Sequence, residues 1–381
     1  MFQAIKEWYK LYFVSIILIV LYLSEAYFKI IDFTAGLNTQ IPRTIKLILL
    51  IVVCIVICYK NIKSLVLPFL VLCCFCIGQW FLTKGFQYQI IVVLGKLLYP
   101  IILLLFFNIY KLSNPQKRVV FSTFEMLIIF NSFLVLLGLC LDIKIFNTYT
   151  GSRFGYNGLL ITSATSSYVY AISLMYLYMK YKRSFFVLPK NYLVLFAALC
   201  VGTKVLYLFI LGLLFVFILE YINKKTRLFF IAIFFLAAVF VGYLFFFQVG
   251  IFNNIRQDSG LFTAIMSYRD QLFLEQTLPF IKSNWQFVNY LFGGINSVVL
   301  RSQIDFVDVF AFFGLLGGVL YIFSYYKAFV TFKPNFVTSF LLLILLFIVF
   351  LAGNFFSYPS IAIYLVILRE YLKYNEQSKH T

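Results

Sequence analysis

Apolar residues in this chain run almost unbroken for lengths near twenty before a short polar interval ends them. Twelve such runs stand at approximately 9–24, 44–59, 64–82, 90–110, 120–140, 159–179, 191–201, 205–222, 228–247, 305–326, 336–353 and 356–372. A helix of about 20 apolar residues crosses the ~30 Å hydrocarbon core of a bilayer. Strands of a membrane barrel would instead alternate at every second residue, which these runs do not. The pattern predicts an all-α, polytopic integral membrane protein of about twelve transmembrane helices, one domain over 1–381.

Three places test that reading. Lys6 and Lys10 precede an apolar run from Leu11 to Leu23 in the manner of a signal peptide. No small-residue cleavage site follows at Ser24-Glu25-Ala26, so the run is expected to be the first membrane helix. Residues 191–222 form one stretch of 32, about 48 Å as a single helix, too long for one span. Both flanks are basic, and the only polar interruption is Gly202-Thr203-Lys204. The chain is expected to break there into two short helices, with Lys204 at the tip near the outer leaflet. The longest connection, 248–304, is expected to be a large external loop. In it Phe262, Ile265, Met266, Leu272 and Phe273 recur at helical spacing, predicting an amphipathic surface helix or helix pair, followed by a turn at Gly293-Gly294.

Composition narrows the class. The chain is 63% hydrophobic and 12% charged, against ~45–50% and ~25% for soluble domains, which excludes a soluble enzyme. Its 31 Lys+Arg against 13 Asp+Glu leave a net charge of +18. The cations cluster at Lys60/Lys63, Lys111/Lys117/Arg118, Lys180/Lys182/Arg183/Lys190, Lys224/Lys225/Arg227 and Lys327/Lys333, each an even number of runs from the next. Cytoplasmic loops carry such excess, so both termini are expected in the cytoplasm. Glu25, Asp32, Asp142, Asp258, Asp270, Glu275, Asp305 and Asp308 are assigned to the opposite side. Loop anchoring at an anionic leaflet explains the basic balance without nucleic acid. The seven cysteines all fall in apolar runs and read as packing residues.

Familiar catalytic signatures are missing. The single histidine, His380, lies in the C-terminal tail, so no Ser-His-Asp or Cys-His arrangement can form outside. No phosphate-binding Gly-Lys-Ser loop or dinucleotide fingerprint occurs, and neither cofactor nor metal is expected. What remains is a set of external cations and acids. Arg153 sits in Gly151-Ser152-Arg153-Phe154-Gly155-Tyr156-Asn157-Gly158, where glycines free the backbone and a guanidinium offers a fork for phosphate oxygens. Lys204 at membrane depth is a costly cation of the kind that marks function. Arg269 with Asp270 lies in the long loop. Arg301 precedes Asp305 and Asp308, which share one helix face.

The order of these features resembles the O-antigen polymerase and O-antigen ligase superfamily. The resemblance rests on the Gly-rich Arg loop, the Gly-Thr-Lys break and the early Arg of a long external loop. It continues through Leu291-Phe292-Gly293-Gly294, Gly314-Leu315-Leu316-Gly317-Gly318 and Leu351-Ala352-Gly353-Asn354-Phe355-Phe356-Ser357. It covers about 150 to 360. It implies metal-independent glycosyl transfer at the outer face of a bacterial cytoplasmic (inner) membrane, from an undecaprenyl-diphosphate-linked glycan donor to an acceptor. A chain-length regulator and a flippase of the same pathway are its implied partners. The ligase branch has Ser-Arg where this chain has Thr203-Lys204 and carries a loop histidine absent here, which favours a polymerase of O-antigen, capsule or exopolysaccharide.

On this reading Arg269, Lys204, Arg153 and Arg301 bind the diphosphate and Asp305, Asp308 or Glu275 serves as base. Asn157 and Asn354 line the substrate. The rival class is a lipid-linked oligosaccharide flippase or polysaccharide transporter, against which stand the missing internal repeat and the long helical loop. The ligase is the other alternative.

Overall fold

The structure is a computed structural model that describes residues 2–149, 151, 153–248 and 250–377, without the side chains of 2–10 and 377. His380 and Ser152 lie outside the described residues. The described chain is helical throughout, without a strand; one isolated bridge joins Asn147 and Tyr156. Each apolar run falls on a helix: α1 (Phe2–Ala35), α2 (Ile41–Asn61), α3 (Val66–Thr83), α4 (Tyr88–Ile109), α5 (Asn114–Leu141), α6 (Ser163–Tyr181), α7 (Pro189–Cys200), α8 (Lys204–Tyr221) and α9 (Lys224–Phe247). After the long connection come α15 (Asp305–Phe329), α16 (Phe336–Ala352) and α17 (Ser360–Gln377).

Seven helical stretches are long and apolar enough to cross a membrane, one being the continuous Ile41–Thr83 of 43 residues. At 1.5 Å per residue that stretch is about 65 Å long, twice a ~30 Å core. Its backbone leaves the helix at Asn61 (φ −161°, ψ 77°), between Lys60 and Lys63. A further candidate is a bent pair, in which α6 and α7 meet at 116°. Glu25 and Asp32, which fall beyond the first apolar run and so read as loop residues, sit within α1, which continues to Ala35.

Helix α6, rich in Ser and Tyr, is buried over most of its length. From Thr165 to Met179 every residue of α6 is buried, and its polar side chains are satisfied internally. Ser166 and Ser173 donate back to carbonyls one turn earlier. Tyr170, Tyr176 and Tyr178 bond Asn131, Glu125 and Glu220. Buried hydroxyls must find such partners where no water reaches. Beside it α17 holds the wholly buried Arg369, which donates to Glu370 and to the carbonyls of Leu104 and Ala328. By contrast α9 buries none of its residues and lies at the periphery, against α8.

The long connection is not the one or two helices expected. It is divided into α10 (Gly250–Ser259), α11 (Leu261–Met266), α12 (Arg269–Leu272), a π-turn (Phe273–Thr277), α13 (Leu278–Asn284) and α14 (Phe287–Phe292). Ser267 (φ 53°) and Tyr268 (φ 66°) are both left-handed, and two such residues in succession end any α-helix. The hydrophobic spacing continued across them, so the break was not visible in it.

Candidate functional site

Two glycine crossings build one end of the bundle. At Gly202 (φ 73°) the chain turns from α7 into α8, and a Cβ there would strike the Phe154 carbonyl. A Cβ on Gly155 would lie 2.5 Å from the Val201 carbonyl oxygen. Tyr156 donates its backbone N–H to Cys200 (2.8 Å), and Thr148 its hydroxyl to Val201 (3.0 Å). Gly155 of the Gly-rich Arg loop and Gly202 of the Gly-Thr-Lys break, 47 residues apart in sequence, are thus held backbone to backbone. In the second crossing Gly293 (φ 77°) meets Gly314, whose φ of 66° and ψ of −168° kink α15. Gly78 of α3 abuts the same turn.

The first crossing brings Arg153 and Lys204 together, with Arg269 in electrostatic reach. The Arg153 guanidinium stacks 3.8 Å from the Tyr149 ring centroid and 5.2 Å from that of Phe252, while Lys204 Nζ lies 5.5 Å from the same Phe252 ring. Lys204 is within electrostatic reach of Arg153, Arg269 and Asp270. Among the described residues none of the three cations has a carboxylate at ion-pair distance. Burial lowers the pKa of Arg153 and of Arg269 from the usual arginine value, and Arg269 is lowered further by Arg153. Half-buried positive charge without a carboxylate at ion-pair distance is costly, and an anion arriving there would relieve it.

Lys204 is more occupied than its sequence position suggested. Its ammonium donates to the carbonyls of Ala264 (3.2 Å) and Ile265 and to Ser267 Oγ (2.7 Å), closing the C-terminus of α11. That end carries the left-handed turn on which Arg269 begins α12. Arg269 Nη1 donates to Met266 (3.2 Å), and its buried Nε has no partner among the described residues. Lys204 therefore fixes the turn that aims Arg269, and Arg269 with Arg153 presents the open fork.

The acids divide. Asp305 is 1% exposed, accepts the Phe355 backbone N–H (2.7 Å), and interacts electrostatically with Arg269. Asp308 is closed in an ion pair with Arg301 (2.8 Å) and accepts from Ser302 (3.0 Å), so neither it nor Arg301 is free for a substrate. Glu275 is exposed on the π-turn and takes part in no ion pair or hydrogen bond among the described residues. Asn354 (φ 63°) lies in the turn over Asp305 and accepts from Ser357, to which Arg301 also donates.

Asn157 does not line this site. It is fully buried and holds Lys29 of α1, which donates to Asn157 Oδ1 and to the Gly158 carbonyl (2.7 Å). Lys29 was missed because it falls beyond the run marked for the first helix. Tyr149 and Phe252 were missed as well. In a chain with 49 Phe and 28 Tyr, composition hides the rings that stack on cations. No protein-family profile, curated protein or solved structure matches the chain.

Proposed function

We propose that this chain is a polysaccharide polymerase of the bacterial cytoplasmic membrane, joining undecaprenyl-diphosphate-linked repeat units by metal-independent glycosyl transfer at the outer face. The observation that carries the reading is the meeting of Arg153, Lys204 and Arg269, none with a carboxylate partner, beside the buried Asp305. A sugar bonded to a diphosphate already has a good leaving group. The catalytic need is a fixed set of donors where charge accumulates as the bond breaks. Arg269 and Arg153 supply the forks, Lys204 holds the Arg269 turn, and Asp305, in electrostatic reach of Arg269, draws a proton from the attacking hydroxyl. The oxocarbenium-like character of glycosyl transfer lets a weak base suffice. Twelve spans with both termini cytoplasmic complete the proposal. It is supported by the break at Asn61 between two lysines and by basic clusters that recur an even number of runs apart.

Comparison of surface glycan from cells with and without the gene tests it. Loss of a polymerase leaves export intact and yields surface glycan bearing single repeat units. Absence of all exported units, with lipid-linked precursor accumulating inside, would instead identify a flippase.

A further inference from the structure

At the end of α7 away from the Gly202 crossing, a groove of about 590 Å³ opens between α5 and α7. That volume lies within the ~300–1,000 Å³ of ligand pockets. Met126, Ile129, Phe130 and Phe133 of α5 and Leu193 of α7 line it, and Ser122 and Glu125 supply its polar end. The α5 residues recur three or four apart, so they form one face of the helix. Met126, Phe130 and Phe133 are 58%, 48% and 52% exposed, so the protein itself leaves this face uncovered. From Ser122 to Phe133 the face is about 17 Å long, close to the ~15 Å that one leaflet contributes to the hydrocarbon core.

Charge gathers at the polar end. Glu125 Oε1 accepts from Lys180 and from the Tyr176 hydroxyl (2.8 Å), and Oε2 accepts from Lys190 (3.1 Å) and the Tyr181 hydroxyl (2.9 Å). One carboxylate, engaged at both oxygens, thus answers two lysines, and one positive charge is left over. Lys190 donates a second bond to Tyr181 (2.5 Å), and its side chain is 37% exposed. An ammonium has three hydrogens, so Lys190 keeps one for a ligand. Arg118, one turn before Ser122 on the same α5 face, is exposed and makes no ion pair or side-chain hydrogen bond among the described residues. An apolar slot of leaflet depth, with surplus positive charge and a hydroxyl at one end, matches a lipid with an anionic head. A free anion would gain nothing from the apolar face, and a zwitterionic lipid brings its own cation to the lysines. We propose that the groove binds one anionic glycerophospholipid, its phosphate on Lys190, Ser122 and Arg118 and one acyl chain along Met126, Phe130 and Phe133. Such a ligand bridges α5 and α7 and stabilises the folded chain by mass action.

Native mass spectrometry of the full chain in detergent micelles, with phosphatidylglycerol and phosphatidylcholine at equal mole fraction, reads occupancy directly. One phosphatidylglycerol should be retained, about tenfold in preference to phosphatidylcholine. Lys190→Gln, which can still donate to Glu125, should cut that preference about fivefold. Arg118→Gln, at an exposed position outside the Glu125 network, should do the same and keeps the test open if Lys190→Gln does not fold. Met126→Trp, placing an indole in the groove, should abolish retention with every cation still present. Phosphatidylglycerol should raise the melting temperature of the wild-type chain and leave that of Met126→Trp unchanged. Equal retention of the two lipids, or undiminished preference in both Lys190→Gln and Arg118→Gln, overturns the headgroup site. Undiminished retention by Met126→Trp would put the lipid on the basic turn outside the groove and overturn the proposal as well. Displacement of phosphatidylglycerol by glycerol phosphate, or by undecaprenyl phosphate at equal mole fraction, would reassign the groove to a free anion or to a lipid carrier, and either defeats it.

Discussion

Arg269 and Lys204 stand close together yet should respond differently to substitution. Arg269 offers an open fork, so on the proposed function Arg269→Ala should remove a donor from the developing charge and cost ~10²–10³ in rate. Arg269→Lys should recover little of it, because a point charge replaces two parallel donors. Lys204 is bonded to the end of α11, so Lys204→Ala should release the turn before Arg269 and lower activity together with thermal stability. Lys204→Arg, able to reach the same carbonyls, should restore both. Purified variants assayed for polymer formation and melting separate the two roles, with Lys182→Ala, on an exposed turn, as the near-silent control. Among the acids, Asp305→Asn should cost ~10²-fold or more in rate if it is the base. Asp308→Asn should act chiefly on stability, since it strips Arg301 of its counter-charge and leaves a buried cation unpaired. The cations were legible because charge in an apolar sequence is conspicuous. Their division of labour was not, since it depends on which carbonyls and carboxylates the fold brings within 3 Å.

At the scale of elements, the glycine crossings are the joints of the site. Gly202→Ala places a left-handed alanine against the Phe154 carbonyl. The conformation alone costs roughly 1–2 kcal/mol, and the collision adds to it by prising the Arg153 loop from the Lys204 break. Reduced melting temperature and loss of polymer are expected, whereas Gly242→Ala on peripheral α9, where a Cβ meets nothing, should be tolerated. Runs of apolar residues located every long helix, since bilayer-length patterns dominate local propensity. They could not reveal that the long connection is broken into short pieces, because Ser267 and Tyr268 adopt positive φ without a glycine to announce it. They also ended the first helix too early. Glu25 and Lys29 look like loop residues by hydropathy, but α1 carries them inward to Lys46 and Asn157.

For the whole molecule, the proposed orientation and the proposed activity stand or fall together, because that activity requires the Arg153–Lys204–Arg269 cluster on the side where lipid-linked glycans would be delivered. In a cysteine-free background, single cysteines at Lys144, Gln257 and Ser283 should react with an impermeant thiol reagent on intact cells. Cysteines at Ser113, Lys182 and Asn335, all exposed in the structure, should stay protected until the membrane is opened. Labelling of position 182 from outside would invert the topology and move the site to the wrong face. The most direct measurement uses lipid-linked repeat units extracted from cells lacking the gene, mixed with the purified full chain in nanodiscs. A ladder of lengthening glycans with release of undecaprenyl diphosphate, abolished by Arg269→Ala at unchanged protein abundance, is the predicted result. No ladder from the wild-type chain, or an undiminished ladder from Arg269→Ala, would contradict the account.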